Sequence, residues 1–591
     1  MGKNSTASGS DQPAKWHGWW ERWPELWLAE QEAFRSRGID PVILHQRDGV
    51  LIIGFDWSVE GETEPLKLQV GYSVLHPFAR PIVSAPEVTF PRHQHPIEKD
   101  LCLLPDEPGM WNPRQLVADY LTERIPQLKG ALAAREAGEW EEAAKLEEPT
   151  PDPLLPYYNG ASDPGSILIF DGARLMPQGN YGIATFSISG RSLAMNDSVF
   201  EAILLRLDPP TGRTLTPNFS PFPGADSGAP VQGRWVRMRP PATGDAKELL
   251  AAAEAEIRAK TALSPRDAQL LDQALNADLG FTLIVFEDEA TYSPAREGMA
   301  CLLLATRGKK TSLIWSEPLS DGASVRLPIS QALRTKTGVI VGVGAIGSFI
   351  AIELARAGLG RLVVLDNDIV LPGNGVRWPL GREAWGLSKS GAVGTFIQRN
   401  YPLTEVAAYS VKVGSTTAIV AAAKTGQNTL NEMRKIFHGA DLIIEATGST
   451  EAQQAIAFEC RDLSKPFISA YGTPGVAGGV VATFPAASDS CFVCLNEHWV
   501  DGTLPAPIEN KDAIVTPRGC SAPTFTGGSF DLEEVSLEAV REAITVLTEP
   551  DRSMAATLDL VRLSDEHGRR ELPVWERHDI PAHARCCGST H

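Results

Sequence analysis

Residues 337–368 read TGVIVGVGAIGSFIAIELARAGLGRLVVLDND. An apolar run of strand length, a glycine turn, a helical stretch and a second apolar run follow one another. This order predicts a βαβ unit with a right-handed crossover. Gly342, Gly344 and Gly347 make a G-x-G-x-x-G turn in that setting. Glycines there permit a tight turn and let the backbone approach a phosphate. The helix that follows offers unpaired N–H groups and the positive end of its dipole. Asp366 stands 19 residues beyond Gly347, where the second strand ends, and is placed to accept hydrogen bonds from ribose hydroxyls. These residues alone point to a nucleotide site, with an NAD-dependent oxidoreductase as the first expectation. A glycine turn that serves packing only is the plainer alternative.

The chain around this unit has 591 residues, enough for about three or four domains. A composition of 43% hydrophobic and 21% charged residues fits a soluble multidomain protein and excludes wholesale disorder. With 54 Lys and Arg against 73 Asp and Glu, the net charge is −19. Direct nucleic-acid binding and anionic-membrane binding both need clustered cations, so neither is expected. The uncharged run 337–352 has 16 residues and four glycines, short for a bilayer crossing. No apolar signal core opens the chain, and a cytoplasmic location is expected. Eight cysteines are too few for a disulfide framework. In a reducing compartment they read as nucleophiles, ligands or core residues.

Three regions emerge: 1–150, 151–330 and 331–591. The first carries Trp16, Trp19, Trp20, Trp23 and Trp27, expected in a core. A helix is predicted from Pro24 to Gly38, then strands at 42–44, 50–55, 66–74 and 82–90, then a helix over 113–128. Residues 140–156 turn acidic and proline-rich, which marks a boundary. The middle region predicts strands at 166–170, 182–188, 200–207, 281–286, 300–305 and 312–315, a helix over 247–262, and loops throughout 208–244. It reads as one α/β domain with no cluster of chemistry-bearing residues.

After the βαβ unit comes LDNDIVLPGNGVRWPLGREAWGLSKSGAV, with Asp366, Asp368, Asn374, Arg377, Gly386 and Lys389. This run resembles the D-x-D…N-x-x-R-Q…G-x-x-K pattern of the ubiquitin-activating E1 and ThiF/MoeB superfamily. The resemblance implies a Rossmann-like adenylation domain that binds ATP and Mg²⁺ in place of NAD. Asn374, Arg377 and Lys389 would handle the phosphates and the attacked carboxylate. Two cations are what such chemistry needs, because two anions must meet before in-line attack gives an acyl-adenylate. Two positions depart from the pattern. Trp378 stands where the family has Gln. The strand Asp441-Leu-Ile-Ile-Glu445-Ala-Thr447-Gly448 ends in glycine where the family has the Asp that helps hold Mg²⁺, with Glu445 or Asp441 as substitutes.

Cys491 and Cys494 form a C-x-x-C after an apolar strand, and His583, Cys586 and Cys587 stand near the C-terminus. A structural Zn²⁺ held by Cys491, Cys494, Cys586 and Cys587 is one reading; unligated core thiols are the other. A redox pair is not expected, because no helix is expected to start at the motif. Cys520 lies in the irregular stretch 503–531 with Arg518 two residues away, and long loops of this kind are usually functional. By resemblance to E1 enzymes it is the nucleophile toward the acyl-adenylate. Cys301 and Cys460 read as core.

Cys102 lies in FPRHQHPIEKDLCLLPDEPGMWNPRQL. This resembles the ubiquitin-conjugating E2 pattern of HP, a short loop, an apolar-Cys-Leu triplet, W-x-P and a helix. The resemblance covers roughly residues 20–150 and implies an E2-like α+β domain with Cys102 as a second thioester site. Ile97 replaces the Asn that follows HP in eukaryotic enzymes; His93 and His95 read as loop packing before catalysis.

An E2-like module, a linker domain and an E1-like adenylation domain in one chain resemble the bacterial E2–E1 fusion proteins of anti-phage CBASS operons, the CD-NTase-associated protein 2 family. The resemblance implies a homodimer. It also implies a partner, a CD-NTase-like protein whose C-terminal glycine is activated and joined to an amine of a target. The alternatives are a sulfur-carrier adenylyltransferase whose N-terminal domain only docks, the oxidoreductase above, and a non-enzymatic scaffold.

Overall fold

A computed structural model describes residues 18–59, 62–90, 93–103, 111–139, 154–158, 162–171, 176–190, 199–216, 230–262, 264–275, 279–289, 297–318, 326–413, 420, 424, 429–516, 524–549, 555–565 and 568–586. The chain divides into two compact units, with the change at Asp321.

The first unit holds two separate cores. One belongs to an antiparallel meander of β1 (Val42–Arg47), β2 (Val50–Trp57), β3 (Leu66–Tyr72) and β4 (Ile82–Ser84), in that order across the sheet. Alternation along β2 and β3 turns Leu51, Ile53, Phe55, Leu68 and Val70 inward. That face packs with Phe34 of the helix Pro24–Arg35 and Leu121 of the helix Val117–Glu136. Pro24 occupies the first turn of its helix, where a missing N–H costs nothing. Trp19 is fully buried in this core, and Trp20, Trp23 and Trp27 pack on it partly covered. The second helix runs later than the sequence suggests: Asn112 and its neighbours form a turn, and helix begins at Val117.

The other core fills a closed barrel ordered β10-β11-β5-β7-β6-β8-β9. Its strands are β5 (Ser162–Phe170), β6 (Tyr181–Gly190), β7 (Phe200–Asp208), β8 (Pro230–Arg237), β9 (Gly280–Glu289), β10 (Glu297–Arg307) and β11 (Lys310–Pro318). β8 lies inside the stretch expected to be loops, and a β-barrel replaces the expected α/β layer. β8 is needed for closure, since it pairs with both β6 and β9.

The second unit is built on an eight-stranded sheet, ordered β14-β13-β12-β15-β16-β17-β20-β21. β12 (Thr337–Val341), β13 (Arg361–Leu365), β14 (Glu405–Tyr409), β15 (Leu442–Glu445) and β16 (Phe467–Gly472) are parallel. β17 (Gly478–Phe484), β20 (Ala556–Ser564) and β21 (Arg570–Ile580) extend the sheet antiparallel. A two-stranded hairpin of β18 (Ile514–Val515) and β19 (Thr524–Phe525) stands apart. Strand order reverses at β12, with β13 on one side and β15 on the other. In open parallel sheets, ligands bind at such a switch point, beyond the carboxyl ends of the strands.

Among the described residues, no helix is long and apolar enough to cross a membrane.

Candidate functional site

The turn after β12 shows which glycines serve packing and which faces open space. A Cβ on Gly347 would lie 1.9 Å from the carbonyl oxygen of Gly342, and Gly342 itself has φ +87°. Both are therefore required by the chain's own geometry. A Cβ on Gly344 would meet nothing within 4 Å. Gly344 is the N-cap of the helix Ala345–Arg356 and makes no side-chain cap, so the first N–H groups of that helix remain as donors for an anion.

Val343, between the first two glycines, has both its backbone polar groups held by side chains. Its N–H donates to Asp366 Oδ2 at 2.8 Å, and its carbonyl accepts the Trp378 indole N–H at 2.9 Å. Asp366 Oδ1 accepts the N–H of Asp368 at 2.7 Å. Asp366, expected to meet ribose, thus first orients the glycine turn. A carboxylate has about four acceptor positions, so ribose hydroxyls still fit there. Burial pushes the Asp366 carboxyl up, opposed by its backbone hydrogen bonds and by Lys389.

These groups border a cavity of about 250 Å³ lined by residues that include Gly344, Asn374, Arg377, Trp378, Lys389 and Thr447. Lys389 opens the helix Lys389–Asn400, and its Nζ lies 3.1 Å from Asp368 Oδ2. Asn374 Oδ1 accepts the Leu371 N–H at 2.8 Å, which leaves its NH₂ end as a donor. Arg377 donates to the Phe525 carbonyl at 2.9 Å and to Thr524 Oγ1 at 3.0 Å, and its guanidinium lies over the Phe525 ring. Burial pulls its pKa down from the ordinary value. The structure therefore brings Gly344, Asn374, Arg377 and Lys389 to one cavity, with Asp366 behind the turn. Sequence reasoning missed Trp378 as a participant; its replacement of Gln was the signal. It also missed Thr524 and Phe525, which reach the cavity from far along the chain.

The two proposed substitutes for the missing acid do not serve. Asp441 sits at the opposite end of the sheet, its Oδ2 accepting the Thr337 N–H at 2.7 Å at the start of β12. Glu445 is fully buried. Its Oε1 accepts from the N–H and hydroxyl of Thr447, and its Oε2 from Ser469 Oγ. Burial pushes its carboxyl up.

Cys491 Sγ lies 3.4 Å from Cys586 Sγ and 3.8 Å from Cys494 Sγ. One expectation about this motif is overturned: the helix Phe492–Asp501 does begin at it, with Cys491 as the N-cap. Burial raises the Cys491 thiol pKa, but the N–H groups of Cys494 and Val493 and the neighbouring sulfurs outweigh it, leaving the thiol below its ordinary value. His583 is engaged elsewhere: Nδ1 accepts the Arg585 N–H and Nε2 pairs with Asp501 at 2.9 Å. Cys587 and Cys520 lie outside the described residues. Cys301 and Cys460 are buried, as core residues.

In the first unit, Cys102 is half-buried between buried Leu101 and Leu103. Leu101 N–H donates to the Val83 carbonyl at 2.7 Å, so the segment runs beside β4, and Cys102 N–H donates to the His93 carbonyl at 2.8 Å. His95 is a turn cap, its Nδ1 accepting the Glu98 N–H at 2.9 Å. Ile97 packs partly covered against the barrel core. The loop is stitched by Gln94, which accepts the Phe90 N–H at 2.8 Å and donates to Ala85 and Val88 carbonyls at 3.0 and 3.1 Å. Nothing in the sequence marked Gln94.

Residues 321–578 match the model of the ThiF family, and this part of the chain is a ThiF/E1-like adenylation domain. Along its whole length the chain belongs to the family of uncharacterized protein y4oA of Sinorhizobium fredii, with 40% identity over 596 residues, 99% of this chain and all of that one. Uncharacterized protein y4qC of the same organism is 26% identical over 95% of this chain and 96% of its own. Ubiquitin-like modifier-activating enzyme 5 of Bombyx mori is 26% identical over 164 residues, 28% of this chain and 41% of that enzyme. Among solved structures, E. coli MccB with ATP is similar at 15% identity and TM-score 0.31, over 44% of this chain and 68% of that one. Enzymes of the ThiF/E1 class are ATP-dependent adenylyltransferases that use Mg²⁺, and the open turn and paired cations of the cavity fit the triphosphate.

Proposed function

We propose that the chain is an E1–E2 fusion that activates the C-terminal carboxylate of a partner protein and conjugates it to a target amine in anti-phage defence. The observation that carries the activation step of this reading is the convergence of the open glycine turn, Asn374, Arg377 and Lys389 on one cavity. ATP lies with its phosphates on the turn and the start of the Ala345 helix. Arg377 and Lys389 neutralise the triphosphate and the incoming carboxylate, which then attacks the α-phosphorus and expels pyrophosphate. Cys520 takes the acyl group from the adenylate as a thioester, and AMP leaves. Thioester exchange passes it to Cys102, and from there it reaches a lysine or other amine.

The half-buried Cys102, beside a four-stranded meander flanked by two helices, supports the E2-like part of the reading. The partner is a CD-NTase-like protein with a C-terminal glycine, and the working form is a homodimer. Carrying both thiols in one assembly raises their effective concentration for each other. The thiols of Cys491, Cys494 and Cys586 fit three sites of a tetrahedral Zn²⁺, with Cys587 as the fourth, in a structural role.

ATP–pyrophosphate exchange tests the adenylation step. Exchange that depends on the partner's terminal carboxylate is expected, and Arg377→Ala lowers it by about a hundredfold or more. Nicotinamide binding without exchange would return the oxidoreductase reading.

A further inference from the structure

We infer that the pocket contributes no carboxylate to the divalent ion that accompanies ATP, so that the ion is held by the nucleotide's own phosphates and water. The inference rests on the nucleotide reading above. Mg²⁺ in nucleotide sites is usually bound through one or two carboxylates together with substrate phosphates. Here each acid near the cavity is committed elsewhere. Asp441 is at the far end of its strand, holding Thr337. Glu445 is sealed, with both oxygens taken by Thr447 and Ser469. Asp366 stands behind the turn, outside the cavity lining, with its oxygens turned to the N–H groups of Val343 and Asp368. Asp368 faces Lys389 and stands outside the cavity lining.

The position that could carry an acid is Gly448. It lines the cavity, and a Cβ there would meet nothing within 4 Å. There is room for a carboxylate, and glycine fills the place. Among the described residues that line the cavity none is Asp or Glu, whereas Arg377 and Lys389 both are there. The charge of the triphosphate is thus met by a guanidinium, an ammonium and backbone N–H groups of the protein itself. Nucleotide affinity should then depend little on the ion, and Mg²⁺, Mn²⁺ and Ca²⁺ should be interchangeable for binding.

Calorimetric titration of the full chain with α,β-methylene-ATP, in excess Mg²⁺ and in EDTA, tests this. The expected difference in Kd is less than about tenfold. Gly448→Asp, whose φ of +65° suits Asp better than most residues, should make binding at least about tenfold tighter in Mg²⁺ than in EDTA. A wild-type loss of tenfold or more in EDTA overturns the inference. So does a folded Gly448→Asp protein with no gained dependence on the ion. Failure of the wild type to bind in either buffer overturns the nucleotide reading instead.

Discussion

Trp378 holds the carbonyl of Val343 while Asp366 holds its N–H, so the two peptide units that flank Val343 in the glycine turn are both fixed. Phenylalanine keeps the bulk and removes the donor. Trp378→Phe should therefore weaken nucleotide binding about fivefold, the worth of roughly 1 kcal/mol, with folding retained; calorimetry and a thermal melt read the two effects. Glu30 makes a different kind of claim. It is fully buried, it accepts the Val117 N–H, and burial pushes its carboxyl up to about 8. Nearby His76 is pulled down to about 4 by burial. Between its ordinary value near 4.5 and about 8, the folded state keeps a proton on Glu30 that the unfolded chain has lost. Stability then falls as pH rises through that window, by up to about 1.4 kcal/mol per pH unit. His76 acts in the opposite sense between about 4 and 6.5, where only the unfolded chain is protonated. The two largely cancel up to about 6.5, and the net loss is expected between about 6.5 and 8. Glu30→Gln should flatten denaturation curves across that upper range; an unchanged slope contradicts the assignment. Neither residue was legible as a participant in the sequence, because each acts through partners brought in by the fold: Val343 for Trp378, Val117 for Glu30.

Elements differ in how far they can be read from sequence, and the reason is locality. The β12 turn is encoded within a few residues. A Cβ on Gly347 collides with Gly342, five positions away, and the glycine pattern announces that constraint. Gly347→Ala should accordingly weaken nucleotide binding by displacing the turn, visible as a loss of about tenfold or more in affinity. The barrel is the opposite case. β8 is recognisable only through its pairing with β6 and β9, and its neighbourhood is rich in Pro and Gly. The cysteine helix is intermediate. Cys491 and Cys494 are adjacent by spacing, but Cys586 reaches them across 95 positions, a return that no local pattern encodes. If these thiols hold Zn²⁺, mass spectrometry of the native chain should find one ion per chain. Cys586→Ser should lose it and lower the melting temperature of the second unit, and a strong chelator should reproduce that shift. A metal-free native chain with an unchanged melt under chelator contradicts the ligand set.

At the scale of the molecule, the proposed chemistry joins a nucleotide cavity in the second unit to a half-buried thiol in the first. The Rossmann-type fold of the second unit was legible in the βαβ signature of residues 337–368; the strand order and the barrel of the middle region were not, because both depend on pairings between strands far apart in the chain. The proposed order of events along two cysteines follows from chemistry: an acyl-adenylate is consumed by a first thiolate, and the thioester so formed is the activated form that a second thiol can accept without further ATP. The most direct measurement is to mix the full chain with ATP and a partner ending in glycine, then resolve the products on gels with and without thiol reductant. The wild type should form a reducible adduct and pass the partner to an amine. Cys520→Ala should form no adduct. Cys102→Ala should accumulate one adduct, carried on Cys520, and form no conjugate. An adduct that survives Cys520→Ala, or conjugates that form without Cys102, would contradict the account.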